Sequence, residues 1–533
     1  MLGRIGWARV GALGLVALAA LTGCGSGGGK QQASSAPVTI GIPEEPDTLD
    51  PQKTNAAITR TILHYAGDSL VSIDTKGKVV PSLATSWSVS PDGLSWTFTL
   101  RKGVKFQNGD PMTADAVKAS FDRALDPATK AGVAASLLEP VKKVSTVGTD
   151  KVRIALKSKY SLLLENLADP AASIVDAKAA KSQGKNFSRT PVLTGPWRIT
   201  QWKSGDRINL ERNASYAWGP AYAGTGAPKI KQLTFRIIPD DATRVSALRS
   251  NEIQGTTALP PANVKSFTSN KQYTSYKYLR NGVGLFLEFN VTKAPFDDIR
   301  VRRAFNYAID PNAVVKVALL GQGRPACGPL PPSIEGYWPG ICSYHQKPDL
   351  AKAKALLAQA GWKPGPDGKL QKDGKPFTFT LYNTNLDTWT NSAQLVQQQL
   401  KRLGITMKIQ NFEFGTLLSN TQHGKDAAHF MGYTYNTPDI LYLWFKSSNI
   451  GTGLNLSHVK DPKLDALLDK YRGQMDAKAR DATYQEIQKY VDDQALWVPL
   501  WVEDDYIVTT SKLKGAQLSA LGYLVLNRAQ LVS

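Results

Sequence analysis

Side chains that could do chemistry are few and are not grouped for it. Five histidines and three cysteines in 533 residues leave little material for a zinc or iron–sulfur centre, which needs several such ligands in one place. His423 and His429 are six apart, so on one helix they would face different directions. No HExxH and no GxSxG spacing occurs, so neither the common zinc-hydrolase pattern nor the serine elbow is present. The carboxylate pairs Asp297-Asp298 and Asp504-Asp505 are adjacent in the chain. The first reads as a helix cap and the second as a strand end, so neither makes an acid–base pair across a substrate. The chain offers contact area instead. Tyr433, Tyr435, Asn436, Tyr442 and Trp444 share a segment with Thr437, Pro438 and Asp439. Taken singly, each aromatic reads as core. Together they suit holding a ligand, because Tyr and Trp bring large area, little entropy loss and one polar handle. We expect binding rather than catalysis, with no metal and no cofactor.

These residues must be carried by a large body. The length corresponds to roughly three or four compact units. Lys and Arg number 64 against 44 Asp and Glu, a basic bias that is scattered rather than gathered on one tail or helix. That pattern suits an anionic membrane or wall and gives no nucleic-acid footprint. Val38, Ile40 and Ile42 alternate as a strand, and Trp87–Ser90, Pro91-Asp92-Gly93 and Trp96–Leu100 read as a hairpin. Thr113 is placed to cap a helix with Asp115 in its first turn. Val301, Ala304, Phe305, Ala308 and Ile309 predict a second helix, with Arg300, Arg302 and Arg303 on its opposite face. Further helices are predicted from Asp349 to Gly361, through Leu395–Leu403 to Gly404, through Leu464–Met475, and through Tyr484–Val491; a strand follows from Trp497 to Val508. The fold class is α/β with mixed sheets.

The N-terminus indicates where the protein works. Arg4 and Arg9 precede an apolar stretch, Val10–Leu21, which falls short of the ~20 residues a spanning helix needs. Leu21-Thr22-Gly23-Cys24 resembles a bacterial lipobox. We therefore expect residues 1–23 to be a lipoprotein signal peptide, Cys24 to be acylated, and residues 24–37 to be a flexible tether rich in Gly, Ser and Gln. An ordinary signal with a chance cysteine is the alternative. Cys327 and Cys342 then remain in an oxidising compartment, where they read as one disulfide. A reactive thiol assisted by His345 is the other reading.

Beyond these features the chain resembles the family 5 extracellular solute-binding proteins, the receptors of peptide-type ABC importers. The resemblance runs from Val38 to the C-terminus. It is carried by Asp47-Thr48-Leu49-Asp50-Pro51, Val80-Pro81-Ser82-Leu83-Ala84-Thr85-Ser86-Trp87, Leu100-Arg101-Lys102-Gly103-Val104-Lys105-Phe106, Thr194-Gly195-Pro196-Trp197 and Pro295-Phe296-Asp297-Asp298-Ile299-Arg300-Val301-Arg302-Arg303-Ala304. It implies a two-lobe fold of the periplasmic-binding-protein type II kind, with hinge strands and an extra N-terminal subdomain. Lobe I would comprise 38–281 with 505–533, including an inserted subdomain at about 76–190, and lobe II would be 282–504. Hinges are expected near Gly282–Asn290 and Pro499–Asp504. The implied role is capture of a solute, an oligopeptide first, at the outer face of the cytoplasmic membrane by a lipid-anchored monomer that delivers it to an ABC permease. The alternatives are a non-peptide solute (an oligosaccharide or small metabolite), a metal chelate, or a signalling lipoprotein that does not transport. In the dipeptide receptors an aspartate after a Gly-Trp segment meets the peptide's ammonium. The matching stretch here is Gly432-Tyr433-Thr434-Tyr435-Asn436, which puts Asn436 in that place and leaves Asp439 as a nearby counter-charge. The expected ligand contacts are Trp389, Tyr433, Tyr435, Asn436, Asp439 and Trp444.

Overall fold

Alternation at Val38, Ile40 and Ile42 buries three side chains and leaves Thr39 half-exposed, so Val38–Ile42 enters a sheet from its first residues. The computed structural model describes residues 36–532; the segment 1–23 expected to be a signal peptide, Cys24 and the expected tether up to residue 35 lie outside the described residues. Val38–Ile42 runs parallel to Gln232–Ile237 on one side and to Gly255–Thr256 on the other. Arg207–Arg212 and Trp197–Lys203 extend that sheet as antiparallel neighbours. Its core gathers around Tyr65, Trp197 and Phe235.

A second body forms around Val283–Phe289, which pairs antiparallel with Ala428–Tyr433. Thr378–Thr384 runs parallel to Ala428–Tyr433 and to Thr406–Phe412, the edge strand. Helices Ile299–Ala308 and Asp387–Lys401 cover it with the apolar stripes seen in the sequence. A separate four-stranded antiparallel sheet joins Ala84–Val89, Ser95–Leu100, Lys151–Leu156 and Val141–Val147, with helix Ala114–Leu125 packed on it. Thr113 caps that helix through a bond from the Ala116 amide. The apolar core of this small sheet runs without a break into that of the second body.

One strand unites the molecule. Trp497–Thr510 is fourteen residues long. Its first part pairs with Val283–Phe289, and its last part pairs with Tyr273–Leu279 and Gly255–Thr256. The chain turns between its two partner strands at Arg280-Asn281-Gly282. Gly282 has φ +107°, and a Cβ there would lie 2.0 Å from the Tyr433 carbonyl oxygen, so only glycine fits.

Three expectations are corrected here. Asp504 and Asp505 lie inside this strand rather than at its end; Lys277 and Arg280 neutralise them in place. Arg302 does not face solvent with Arg300. It is buried and donates to the carbonyls of Phe296, Gln494 and Ala495, satisfying the end of helix Ala477–Asp493, and burial lowers its pKa to about 10. Met475 lies beyond helix Pro462–Gly473 and is exposed. Cys327 and Cys342 form a disulfide with Cα atoms 4.9 Å apart, while His345 is turned away to pair with Asp492.

Candidate functional site

Where the two bodies meet beside the turn at Arg280, they leave a cleft of about 270 Å³. Three separated stretches wall it: Glu44 and Arg60 after the first strand, Tyr278, Arg280 and Asp505 on the crossing strands, and Thr434 and Asn436 after Ala428–Tyr433. Tyr523 closes one side and stacks on His64 with ring centres 4.9 Å apart. Burial lowers the pKa of His64 to about 4, so that ring is neutral.

Charge in the cleft is uneven. Arg280 donates through Nε and Nη2 to both oxygens of Asp505 at 2.8 and 2.9 Å, and Nη1 lies 3.0 Å from Glu503. All three guanidinium nitrogens are thus engaged, while 45% of the side chain as a whole remains open. Arg60 is buried and bonds Asp169 at 3.0 Å. Burial opposes its charge, but Asp169 outweighs that and raises its pKa. Asp169 also accepts from Asn436 Nδ2 at 3.1 Å, and Arg60 Nε is buried without a partner among the described residues. Glu44 differs from the rest. It is exposed to the cleft and has no hydrogen-bond donor or ion-pair partner among the described residues. Desolvation by the walls raises its pKa, with Arg280 pulling the other way.

Of the residues the sequence singled out, Asn436 lines this cleft. Tyr433 is half-buried within the electrostatic reach of Arg60. Tyr435 is buried with its hydroxyl unpartnered. Trp389 packs over Gly432 and edge-on to Phe414. Trp444 is fully buried and donates to Glu288 at 3.1 Å; Glu288 in turn accepts from His429 Nε2 at 2.9 Å, and His429 Nδ1 meets Asp426 at 2.8 Å. These two carboxylates overcome burial and raise His429 to about 9, so it is doubly protonated. Asp439 is 1% exposed, and both its oxygens are taken by Arg472, Tyr471 and Tyr160. Glu44, Arg60 and Arg280 went unremarked in the sequence because Arg280 lies more than two hundred residues from the other two, and no local pattern links them.

Three comparisons bear on this arrangement. The model of the bacterial extracellular solute-binding proteins, family 5 middle region, matches residues 78–452. A glutathione-binding protein, GsiB of Salmonella choleraesuis, is 32% identical over 481 residues, covering 87% of this chain and 89% of that protein. Among solved structures, the ABC transporter-associated periplasmic binding protein DppA of Helicobacter pylori, in complex with the peptide STSA, superposes with a TM-score of 0.79 at 27% identity, over 93% of this chain and 98% of that one. The oligopeptide-binding protein AppA of Bacillus subtilis, in complex with a nonapeptide, gives 0.79 at 26% identity, over 95% and 100%.

Proposed function

The chain belongs to the bacterial extracellular solute-binding proteins of family 5, and we propose that, as the solute-capturing component of an ABC importer, it receives a short zwitterionic peptide in the cleft between Glu44 and Arg280. The observation that carries this is the placing of an unpartnered carboxylate and a partly exposed arginine side chain in one cleft. Glu44 would accept the ammonium, Arg280 would donate to a carboxylate, and Tyr278, Tyr523 and Asn436 would hold the body of the ligand. Ligand sites commonly span ~300–1,000 Å³, and a cleft of about 270 Å³, just below that range, suits a di- or tripeptide better than a nonapeptide. The relative named for glutathione, a tripeptide, points the same way.

Capture follows from the topology. In this reading lobe I is 38–281 with 505–533, with its subdomain at about 76–190, lobe II is 282–504, and the hinge lies near Gly282–Asn290 and Pro499–Asp504. Closure lets one ligand touch both lobes, so ligand stabilises the closed state. An acyl anchor on Cys24 would keep the receptor beside its permease. No helix among the described residues is long and apolar enough to cross a membrane.

Calorimetry with glutathione and with unmodified and N-acetylated tripeptides tests the assignment. Glu44→Gln is expected to weaken binding of the free-amine ligands by about 1.5–3 kcal/mol, the worth of a charge-assisted hydrogen bond, and to leave the N-acetylated ones unchanged. Equal binding of all ligands by wild type and variant would refute it. Cys24→Ser is expected to release the protein from membranes, read by fractionation.

A further inference from the structure

We propose that Tyr160 completes an interlobe latch: its hydroxyl ties the inserted subdomain to Asp439 of the second lobe and holds the cleft shut through protein contacts alone. The inference rests on the division into lobes given above and does not depend on which solute is carried.

Asp439 has four donors. Tyr471 Oη and Arg472 Nε reach Oδ1, each at 2.9 Å, and Arg472 Nη2 and Tyr160 Oη reach Oδ2, each at 3.0 Å. Three of the four come from the same lobe as Asp439, and Tyr160 alone crosses. Asn166 Nδ2 donates to the Tyr160 oxygen at 2.8 Å, so the single phenolic proton is left for Asp439. The Arg472 guanidinium lies 4.9 Å from the Tyr160 ring centre and 3.7 Å from that of Tyr442, so it is held between rings from both sides of the contact. The next residue reinforces the tie, since the Ser161 amide donates to the Arg472 carbonyl at 2.8 Å. Tyr160 is 1% exposed, so water does not compete for its hydroxyl while the lobes are together.

The arrangement works as a latch because both states are satisfied. If the lobes part, Asp439 keeps Arg472 and Tyr471 and is never a bare buried charge. Closure adds this charge-assisted bond and the backbone bond to the other contacts between the subdomain and the second lobe, the Asn436–Asp169 bond, the Arg472–Glu139 pair and the shared apolar core, and no solute atom is needed for any of them. The residue expected from sequence to meet a ligand's ammonium thus has its charge met by the chain's own Arg472, and the ligand cation is left to Glu44.

The test uses the mature protein, denatured to strip bound solute and then refolded, with nothing added. Tyr160→Phe removes only the hydroxyl and is expected to shift the open-to-closed ratio by about tenfold or more, the order for losing a charge-assisted hydrogen bond. This would be read as a larger radius of gyration in solution scattering, with unchanged circular dichroism. In wild type the Ser161 amide is expected to be protected from hydrogen exchange. A Tyr160→Phe protein as compact as wild type overturns the latch. So does a wild-type Ser161 amide exchanging like that of an unstructured peptide, and this second readout decides the matter even if the variant folds poorly. Neither measurement involves a peptide, so a wrong ligand assignment leaves both intact.

Discussion

Glu44 must be ionised to receive an ammonium, and the cleft makes ionisation harder. Its raised pKa means that affinity for a free-amine peptide should be full near neutrality and lost as pH falls through that raised value. Titration calorimetry from neutral to acid pH should show this loss, and Glu44→Gln should be weak and flat across the range. His429 predicts the opposite dependence. Its folded pKa of about 9 lies above the ordinary 6.5, so its contribution is complete below 6.5 and disappears as pH rises through 9. The loss is on the order of 3 kcal/mol, seen as a falling melting temperature in wild type and a flatter profile in His429→Gln. Residue types in the sequence pointed to Trp444 and Asp439 as ligand contacts, because an aromatic and a carboxylate look alike whether they serve a ligand or the chain itself. What separates the roles is the partner: Glu288 for Trp444, and Arg472 with Tyr160 for Asp439. Both partners come from distant parts of the chain that no local pattern links.

Elements were far more legible than contacts, because caps and stripes are written within a few residues. Thr113, Asp298, Asp349 and the stops at Gly361 and Gly404 were all readable in advance, and each occupies the expected terminus. Thr113→Ala should cost about 1 kcal/mol in denaturant unfolding, the usual worth of a lost N-cap bond. Arg302 was misread because the three arginines were grouped by charge, although residues two apart do not share a helix face; its long stem reaches back to carbonyls near Gln494. The hinge turn invites a sharper test. Gly282→Ala combines positive φ with a clash against the Tyr433 carbonyl. It is expected to destabilise by more than about 1 kcal/mol and to alter ligand affinity, since the displaced Tyr433 segment leads directly to Thr434 and Asn436.

At the scale of the whole molecule, a ligand that touches both lobes should raise the melting temperature with the logarithm of its concentration, by the equivalent of ~2.7 kcal/mol at a hundred times Kd. Replacing Cys327 and Cys342 together by serine should lower stability by roughly 3 kcal/mol through the freed fifteen-residue loop, measured by urea unfolding, without changing ligand affinity. The long strand Trp497–Thr510 has a consequence for the order of biosynthesis. It lies between Val283–Phe289 and Gly255–Thr256 in the sheet order, yet it leaves the ribosome more than two hundred residues after either of them. A nascent chain that ends before Trp497 has two unsealed sheets, each lacking the strand that fills its gap. Neither half can reach its final fold early, and the whole body stays threadable until that strand is made. A chain that must pass unfolded through a translocon gains time from this arrangement, because the strand made long after its partners is the closing stitch for both halves.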